Sequence, residues 1–182
     1  MENLKETTLS QETKYEGRIL NLRVDTVKLP NGNEAKREVI EHSGGVCVVA
    51  FDENDKLLMV KQFRYPYNEI TLEIPAGKIN PGEDPKECGK RELSEETGYE
   101  SNDLVEIAHL YPTPAYDSEI IHIYFARNLV KKTQHLDEDE FLSLERVDFE
   151  TALEMVLNNQ IPDAKTQIAI LKIQAMKSMG KL

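Results

Sequence analysis

The feature that most constrains the fold is a short acidic helix, predicted between Asp84 and Gly98 in the stretch GKINPGEDPKECGKRELSEETGY (residues 77–99). Asp84 is a favourable N-cap, Pro85 suits the first helical position, and Gly98 supplies a C-terminal stop. Three glutamates at i, i+3 and i+4 share one face of this helix: Glu92, Glu95 and Glu96. Like charges at this spacing destabilise a helix by roughly 0.2–0.5 kcal/mol per pair. A positive charge near these carboxylates would therefore stabilise the helix.

Two of these glutamates, Glu92 and Glu96, have no basic partner at helical spacing, whereas Arg91 lies one turn from both Glu87 and Glu95. A solvated acidic face is the ordinary interpretation of a glutamate-rich helix. An unpaired carboxylate pair beside a loop is also what a hard divalent cation requires, because Mg²⁺ takes oxygen ligands together with water and substrate phosphates. We therefore expect a magnesium site on this helix, where bound metal relieves the repulsion.

Composition limits the classes of partner. The chain has 182 residues, of which 40% are hydrophobic, enough for one domain with an appendage. Its net charge of −11 argues against nucleic acid as a partner, since phosphate backbones attract basic surfaces. The sequence has no apolar run long enough for a membrane span, and its polar, acidic opening does not resemble a signal peptide. We expect a cytoplasmic protein in which Cys47 and Cys88 are buried thiols.

Strand patterns predominate, with one early helix and two late ones. Asn31-Gly32 is a strong hairpin signal between the strands predicted at 14–28 and 34–42. Further strands are predicted at 45–51, 56–65, 70–75, 104–111, 119–129 and 141–147, and the closing helices at 149–159 and 163–177 are separated by Pro162. This order favours a mixed α/β or α+β sandwich over regular βαβ winding. We expect an N-terminal β extension at 1–42 and a main domain at 43–182.

The acidic helix and its preceding loop resemble the Nudix box. The resemblance rests on seven residues at the spacing of that motif: Gly77, Glu83, Arg91, Glu92, Glu95, Glu96 and Gly98. The box spans 23 residues, and the order of strands and helices from about residue 43 onward is also similar to the Nudix fold, a mixed β-sheet sandwich between helices.

The resemblance implies a metal site with defined roles. Glu92, Glu95 and Glu96 fall on the metal-ligating positions, and the carbonyl of Ala76 falls on the backbone ligand position. Glu83 and Arg91 fall on a pair that orients the loop against the helix. The implied ion is Mg²⁺, with Mn²⁺ as the alternative.

Other segments are similar to ADP-ribose pyrophosphatases within this family. Pro114 lies in YPTPAYDSE (111–119), where the commoner form has glycine in place of Ala115. VKQFRYP (60–66) places Arg64 where a diphosphate-contacting arginine is expected, and a guanidinium suits phosphate recognition. The extension before the main domain implies a homodimer in which Arg37 contributes to the partner's site; a hairpin packed on its own domain is the alternative.

The attacking water needs a general base, and the acidic stretch LDEDEF (136–141) is the first place to look. A solvated turn is the ordinary interpretation of such a stretch. In ADP-ribose pyrophosphatases a loop at this position closes over the substrate, which implies Glu138 as the base and Glu140 as a further metal ligand. Glu119 is the competing base.

These resemblances imply Mg²⁺-dependent hydrolysis of the diphosphate of ADP-ribose, a small-molecule nucleoside diphosphate sugar, to AMP and ribose 5-phosphate. One alternative is a broader hydrolase of nucleoside diphosphate sugars or (deoxy)nucleoside triphosphates that uses the same box. Another, from a different class, is a catalytically silent regulator that binds ADP-ribose. The complete set of glutamates argues against silence.

Overall fold

The protein is described by a computed structural model that covers residues 4–136 and 141–182. The described chain forms two compact units. Unit 1 contains residues 4–44 and 111–120, and unit 2 contains residues 45–110, 121–136 and 141–182.

Unit 1 is built on an antiparallel three-stranded sheet of β1 (Thr7–Glu16), β2 (Asn21–Lys28) and β3 (Glu34–Glu41), in that spatial order. The predicted Asn31-Gly32 hairpin is confirmed: Gly32 N donates to Leu29 O at 2.9 Å, and Lys28 lies opposite Glu34. The strand predicted at 14–28 is wrong in its extent, because the chain turns between Glu16 and Asn21 and forms two strands.

The segment 111–120 belongs to unit 1 and contains Pro114 in a turn. The amide of Asp117 donates to Thr113 O at 3.2 Å across this turn, and Ile40 N of β3 donates to Tyr116 O at 2.7 Å. Ser118 N returns a bond to Ile40 O at 3.0 Å, so the segment lies against the end of β3.

Unit 2 combines small sheets with three helices. Its strands are β4 (Gly45–Val49), β5 (Lys56–Arg64), β6 (Glu69–Glu73), β7 (Ala76–Lys78), β8 (Tyr99–Glu100), β9 (Asp103–Leu110), β10 (Ile121–Arg127), β11 (Val130–Lys131) and β12 (Leu142–Asp148). The helices are α1 (Pro85–Thr97), α2 (Phe149–Leu157) and α3 (Ala164–Ser178). The sheets have the orders β7-β4-β10-β9, β12-β5-β6 and β11-β8, and the β4–β10 pair is parallel while the others are antiparallel. The predicted mixed α+β class is confirmed.

Alternation along the buried strands separates two hydrophobic cores. Cys47 and Val49 of β4 face one core with residues of α2 and α3, whereas Val46 and Val48 face the other with residues of α1. Both cysteines are buried and free, as predicted. The central strands therefore lie between α1 on one side and α2 with α3 on the other.

Helix α1 has the predicted caps. Asp84 accepts hydrogen bonds from the amides of Lys86 and Glu87, at 2.9 and 3.2 Å, and Gly98 adopts a left-handed conformation with φ 70° at the C-terminal end. Gly89 lies where the helix meets the sheet, since an added Cβ there would come within 3.0 Å of Val46 Cγ1. Within the described ranges, no helix is long and apolar enough to cross a membrane.

Candidate active site

Arg91 is the centre of the carboxylate cluster on α1. Its Nε and Nη2 donate to Oε1 and Oε2 of Glu83 at 2.9 and 3.1 Å. Its Nη1 donates to Glu92 Oε1 at 2.6 Å and to Glu95 Oε2 at 3.0 Å. One guanidinium therefore forms ion pairs with three carboxylates, and we call Arg91 with Glu83, Glu92, Glu95 and Glu96 the α1 cluster.

Glu83 and Arg91 also hold the loop that precedes the helix. Glu83 Oε2 accepts from Asn80 N at 2.9 Å, and Arg91 Nη2 donates to Lys78 O at 3.3 Å. The hydrogen bonds from Arg91 are the main cause that lowers the pKa of Glu83 to about 2, with help from the Asn80 amide and against burial. The same bonds raise the pKa of Arg91. The pair stays charged at neutral pH and ties loop to helix.

Glu96 is anchored to strand β7. The Ala76 amide donates to Glu96 Oε2 at 2.9 Å, and the side chain lies almost completely buried, at 2% exposure. Ala76 itself pairs with Cys47 of the central strand β4. The sheet therefore fixes the position of this carboxylate, because a backbone hydrogen bond to a charged oxygen is directional and strong.

Gly77 leaves room for the carboxylate of Glu92. A Cβ added at Gly77 would lie 1.9 Å from Cδ and from Oε1 of Glu92. The Glu92 side chain is itself buried, so it has little space to move away. Only glycine fits here while the carboxylate keeps its place, which explains the first residue of the motif.

The expectation that Glu92 lacks a cationic partner is wrong, because the adjacent Arg91 reaches it at 2.6 Å. Side chains at positions i and i+1 of a helix do not normally face each other, but the arginine side chain is long enough for its Nη1 to reach the neighbouring carboxylate. Among the described residues, no group of three or more histidine, cysteine, aspartate or glutamate side chains is arranged to hold a metal ion as it stands. The guanidinium instead occupies the space between Glu92 and Glu95.

The donor chemistry of the α1 cluster nevertheless fits a hard divalent cation. Glu92, Glu95 and Glu96 are oxygen donors, and two of them are buried. A positive charge already lies between Glu92 and Glu95 in the form of Arg91 Nη1. A cation at this position is attracted by both carboxylates and reduces their mutual repulsion.

A second charged cluster lies at the end of β6 and was not predicted. Glu73 is 1% exposed, and its carboxylate accepts from Arg64 Nε at 2.7 Å and from Arg64 Nη2 at 2.6 Å. Thr71 Oγ1 donates to the same carboxylate at 2.6 Å, and Lys165 Nζ of α3 also contacts it. Lys165 in turn pairs with Asp163 at 2.9 Å. We call this group the Glu73 cluster.

The charges of the Glu73 cluster stabilise one another. Burial opposes ionisation of Glu73, but the hydrogen bond from Arg64 and the charge of Lys165 outweigh it and lower the pKa of Glu73 to about 2. Burial likewise opposes the charge of Lys165, yet Asp163 and Glu73 raise its pKa. The pKa of Arg64 rises because of its bonds to Glu73, and the charge of Glu96 contributes to that rise.

Three predicted site residues lie in unit 1. Arg37 of β3 donates through Nε and Nη2 to Glu6, at 3.0 and 2.5 Å. Pro114 lies in the turn described above, and Glu119 lies 3.4 Å from His42 Nδ1. Glu138 and Glu140 lie outside the described residues.

A weak signal for Glu73 was present in the sequence. It lies in ITLEIP between Leu72 and Ile74, where a charged residue interrupts an apolar run. Lys165 gave no comparable signal, because its partner Glu73 is 92 residues away along the chain.

The chain matches two known domain families. Residues 41–168 match the NUDIX domain, and residues 6–40 match the nucleoside diphosphate sugar hydrolase N-terminal domain.

Individual proteins are similar over nearly the whole chain. The ADP-ribose pyrophosphatase of Bacillus subtilis (strain 168) is 40% identical over 181 residues, which cover 98% of each chain. The methanol dehydrogenase activator of Bacillus methanolicus is 41% identical over 177 residues, 96% of each chain. A crystal structure of an ADP compounds hydrolase superposes with a TM-score of 0.84 at 25% identity, covering 98% of this chain and 97% of that one.

Proposed function

The chain belongs to the Nudix family and is a hydrolase, and from that premise we propose that it cleaves the diphosphate of ADP-ribose, with Mg²⁺, to AMP and ribose 5-phosphate. The choice of substrate is supported by the near-complete match to the Bacillus subtilis ADP-ribose pyrophosphatase. The match at residues 6–40 to the N-terminal domain of nucleoside diphosphate sugar hydrolases points to the same class of compound.

The observation that carries the proposal is the α1 cluster. It places three carboxylates around one guanidinium and anchors a further one, Glu96, to the backbone of Ala76. In the proposed enzyme Glu92, Glu95 and Glu96, with the Ala76 carbonyl, hold Mg²⁺; Mn²⁺ is the alternative ion. Bound there, the ion would lower the pKa of the attacking water and neutralise charge that develops on the phosphates.

The remaining site residues hold the loop against α1 or bind the substrate. Glu83 and Arg91 keep the loop 78–83 against α1, so that the carboxylates face one direction. Arg64 contacts a phosphate of the substrate, because a planar guanidinium matches two phosphate oxygens at once. Arg37 and Pro114 are proposed substrate contacts from unit 1.

The reaction transfers one phosphoryl group to water. The oxygen of water attacks one phosphorus of the diphosphate, and the bond from that phosphorus to the bridging oxygen breaks. The bridging oxygen leaves with the second phosphate, so each product carries one phosphate. A carboxylate accepts the proton of the water: we propose Glu138, with Glu119 as the competing base, and Glu140 as a further metal ligand.

The roles of the three acidic residues are distinguished by comparing kcat for Glu138→Gln, Glu140→Gln and Glu119→Gln at saturating Mg²⁺. Loss of a general base typically lowers the rate by about 10²–10⁴-fold. We expect that loss in Glu138→Gln with substrate binding nearly intact, whereas Glu140→Gln weakens metal binding instead. If Glu119→Gln alone abolishes turnover, the base lies in the segment 111–120.

We further propose a homodimer with residues 1–42 at its interface, and a cytoplasmic location. The boundary between that extension and the domain at 43–182 is part of this proposal. In the dimer, Arg37 would contact the substrate bound to the neighbouring subunit. It would either release Glu6 or donate to Glu6 and the substrate together.

Two alternatives to this proposal can be tested against it. A broader hydrolase of nucleoside diphosphate sugars or triphosphates would use the same α1 cluster. A regulator that binds ADP-ribose without cleaving it gains support from the relative named as a methanol dehydrogenase activator. A panel of diphosphate and triphosphate compounds, assayed with Mg²⁺, distinguishes them. The highest kcat/KM belongs to ADP-ribose under our proposal, to another compound under the first alternative, and no compound is cleaved under the second.

A further inference from the structure

We propose that Glu73 and Lys165 are positioning residues that hold the guanidinium of Arg64 with one edge open to a phosphate of the substrate. The inference rests on the proposed function, since it assigns a task to Arg64 in that reaction. It gives a role to two residues that lie outside the Nudix box.

The first support is that Glu73 fixes Arg64 in orientation. Two parallel hydrogen bonds, from Nε and Nη2 of Arg64 to the two carboxylate oxygens, hold the plane of the guanidinium. The carboxylate cannot rotate freely, because Thr71 Oγ1 and Lys165 Nζ also donate to it and the side chain is buried. Arg64 is therefore oriented before any substrate arrives.

The second support is the edge of Arg64 that remains available. Among residues 4–136 and 141–182, Nη1 of Arg64 has no hydrogen-bond partner, and the side chain is 38% exposed. A guanidinium carries five N–H donors in a fixed fork. With one edge bound to Glu73, the donors of the other edge match the oxygens of a phosphate.

The third support is the position of the cluster next to the α1 carboxylates. Glu73 ends β6, and Ala76, whose amide holds Glu96, follows after two residues. Three residues of extended chain span roughly 11 Å at most. Glu73, which holds Arg64, and Ala76, whose amide holds Glu96, therefore belong to the same short piece of backbone.

Lys165 holds the carboxylate of Glu73 from the side of α3, so the anion that orients Arg64 is itself fixed. Lys165, 11% exposed, shares the carboxylate of Glu73 and is itself held by Asp163. The structural alternative is that the network only joins β6 to α3, with no effect on substrate.

A double-mutant cycle separates these two roles. The variants are Arg64→Ala, Glu73→Gln and the combination, with kcat and KM measured for ADP-ribose at saturating Mg²⁺. We expect each single change to lower kcat/KM by about 10- to 100-fold, as for loss of a hydrogen bond to a charged group, and the combination to be no worse than Arg64→Ala. Additive losses, or a Glu73→Gln variant with wild-type kcat/KM, would overturn the proposal.

The cycle has two safeguards. If Glu73→Gln does not fold, by circular dichroism, the same cycle is run with Lys165→Met, and the same non-additivity is expected. The matched control is Glu145→Gln on β12 of the same sheet, which removes a 3.0 Å ion pair with Lys61 and should leave kcat/KM unchanged.

Failure of the proposed function is recognised separately. If the wild type does not cleave ADP-ribose, that function is wrong, and the cycle is repeated on the Kd for inorganic pyrophosphate by calorimetry. Non-additive weakening of pyrophosphate binding would then still support the role of Glu73. Equal affinity in wild type and Arg64→Ala would overturn it.

Discussion

The Glu73 cluster and the α1 cluster both contain arginine and glutamate, but their charges balance differently. In the Glu73 cluster two cations, Arg64 and Lys165, face the buried Glu73, and Asp163 completes the set. In the α1 cluster a single guanidinium, Arg91, contacts three carboxylates. The four charges of the first arrangement balance one another without a ligand, and the proposed contact of Arg64 with the substrate uses the edge that Glu73 leaves open. The second carries negative charge that a further cation would stabilise.

The difference in charge balance predicts how each cluster affects stability when no ligand is bound. A balanced, buried cluster stabilises the fold, and removing one member leaves an uncompensated charge. An excess of like charge costs stability in the free protein and is tolerated when a ligand offsets it. Neutralising a glutamate should therefore lower stability in the Glu73 cluster and leave it nearly unchanged in the α1 cluster.

The largest expected effect is on turnover. Glu92→Gln and Glu96→Gln should each lower kcat by at least ~10²-fold, because both lose charge that stabilises the transition state through the metal. Steady-state assays with ADP-ribose and Mg²⁺ measure the loss. The control is Glu87→Gln on the same helix, an exposed residue paired with Lys90, which should keep wild-type kcat. Wild-type rates in either variant would remove that residue from the metal site.

In the balanced cluster, Glu73→Gln should lower the free energy of unfolding at pH 7 by about 2 kcal/mol, since Lys165 and Arg64 lose their buried anion. Because the folded pKa of Glu73 is about 2, below its ordinary value of 4.5, its contribution is full above pH 4.5 and is lost as the pH falls toward 2. Urea unfolding of both proteins at several pH values tests this. The stability difference should shrink as the pH falls through that window, and a constant difference would contradict it.

Gly77→Ala tests whether the Glu92 carboxylate needs the space that glycine leaves for it. The new methyl group would overlap the Glu92 carboxylate, so Glu92 must rotate out of place. We expect roughly a 10-fold loss of kcat/KM, one tenfold step being about 1.4 kcal/mol of transition-state stabilisation. An unchanged kcat/KM would show that Glu92 does not need this position.

The smallest expected effect is on the stability of the metal-free protein, and it distinguishes the α1 cluster from the Glu73 cluster. In metal-free protein Glu92→Gln should change the free energy of unfolding by at most about 0.5 kcal/mol, because removal of a like-charge repulsion offsets the lost ion pair with Arg91, which keeps Glu83 and Glu95 as partners. Urea unfolding with a chelator present measures this value. A loss as large as that of Glu73→Gln would mean that the two clusters are equally balanced.

Much of the fold was predictable because its signals are local. The caps Asp84 and Gly98 and the Asn31-Gly32 hairpin act within a few residues, and each was located correctly. Strand β1 was missed, because TTLSQETKYE is exposed along its whole length and shows no apolar alternation. A glycine inside a helix is unfavourable by about 1 kcal/mol relative to alanine, and the reason for Gly89 lies in its packing against β4, which the local sequence does not reveal.

The candidate site shows the same limit. The resemblance to ADP-ribose pyrophosphatases of the Nudix family is confirmed by the domain match and by the 40% identity to a relative of that name. It was visible in the sequence because the motif lies within one continuous stretch. The roles of the individual site residues stay predictions. The pairing of Arg91 with Glu92 and the contact of Glu73 with Lys165 were not predicted, because they depend on side-chain paths and on residues far apart in sequence.

We propose that the negative charge of the α1 cluster holds the cation that hydrolysis of ADP-ribose requires. The most direct measurement is the rate of AMP formation from ADP-ribose by chelator-treated protein as Mg²⁺ is added back. We expect no turnover without the metal, and saturable recovery as Mg²⁺ is added, with AMP and ribose 5-phosphate formed in equal amounts. A full rate in the presence of chelator, or no AMP at any concentration of Mg²⁺, would contradict it.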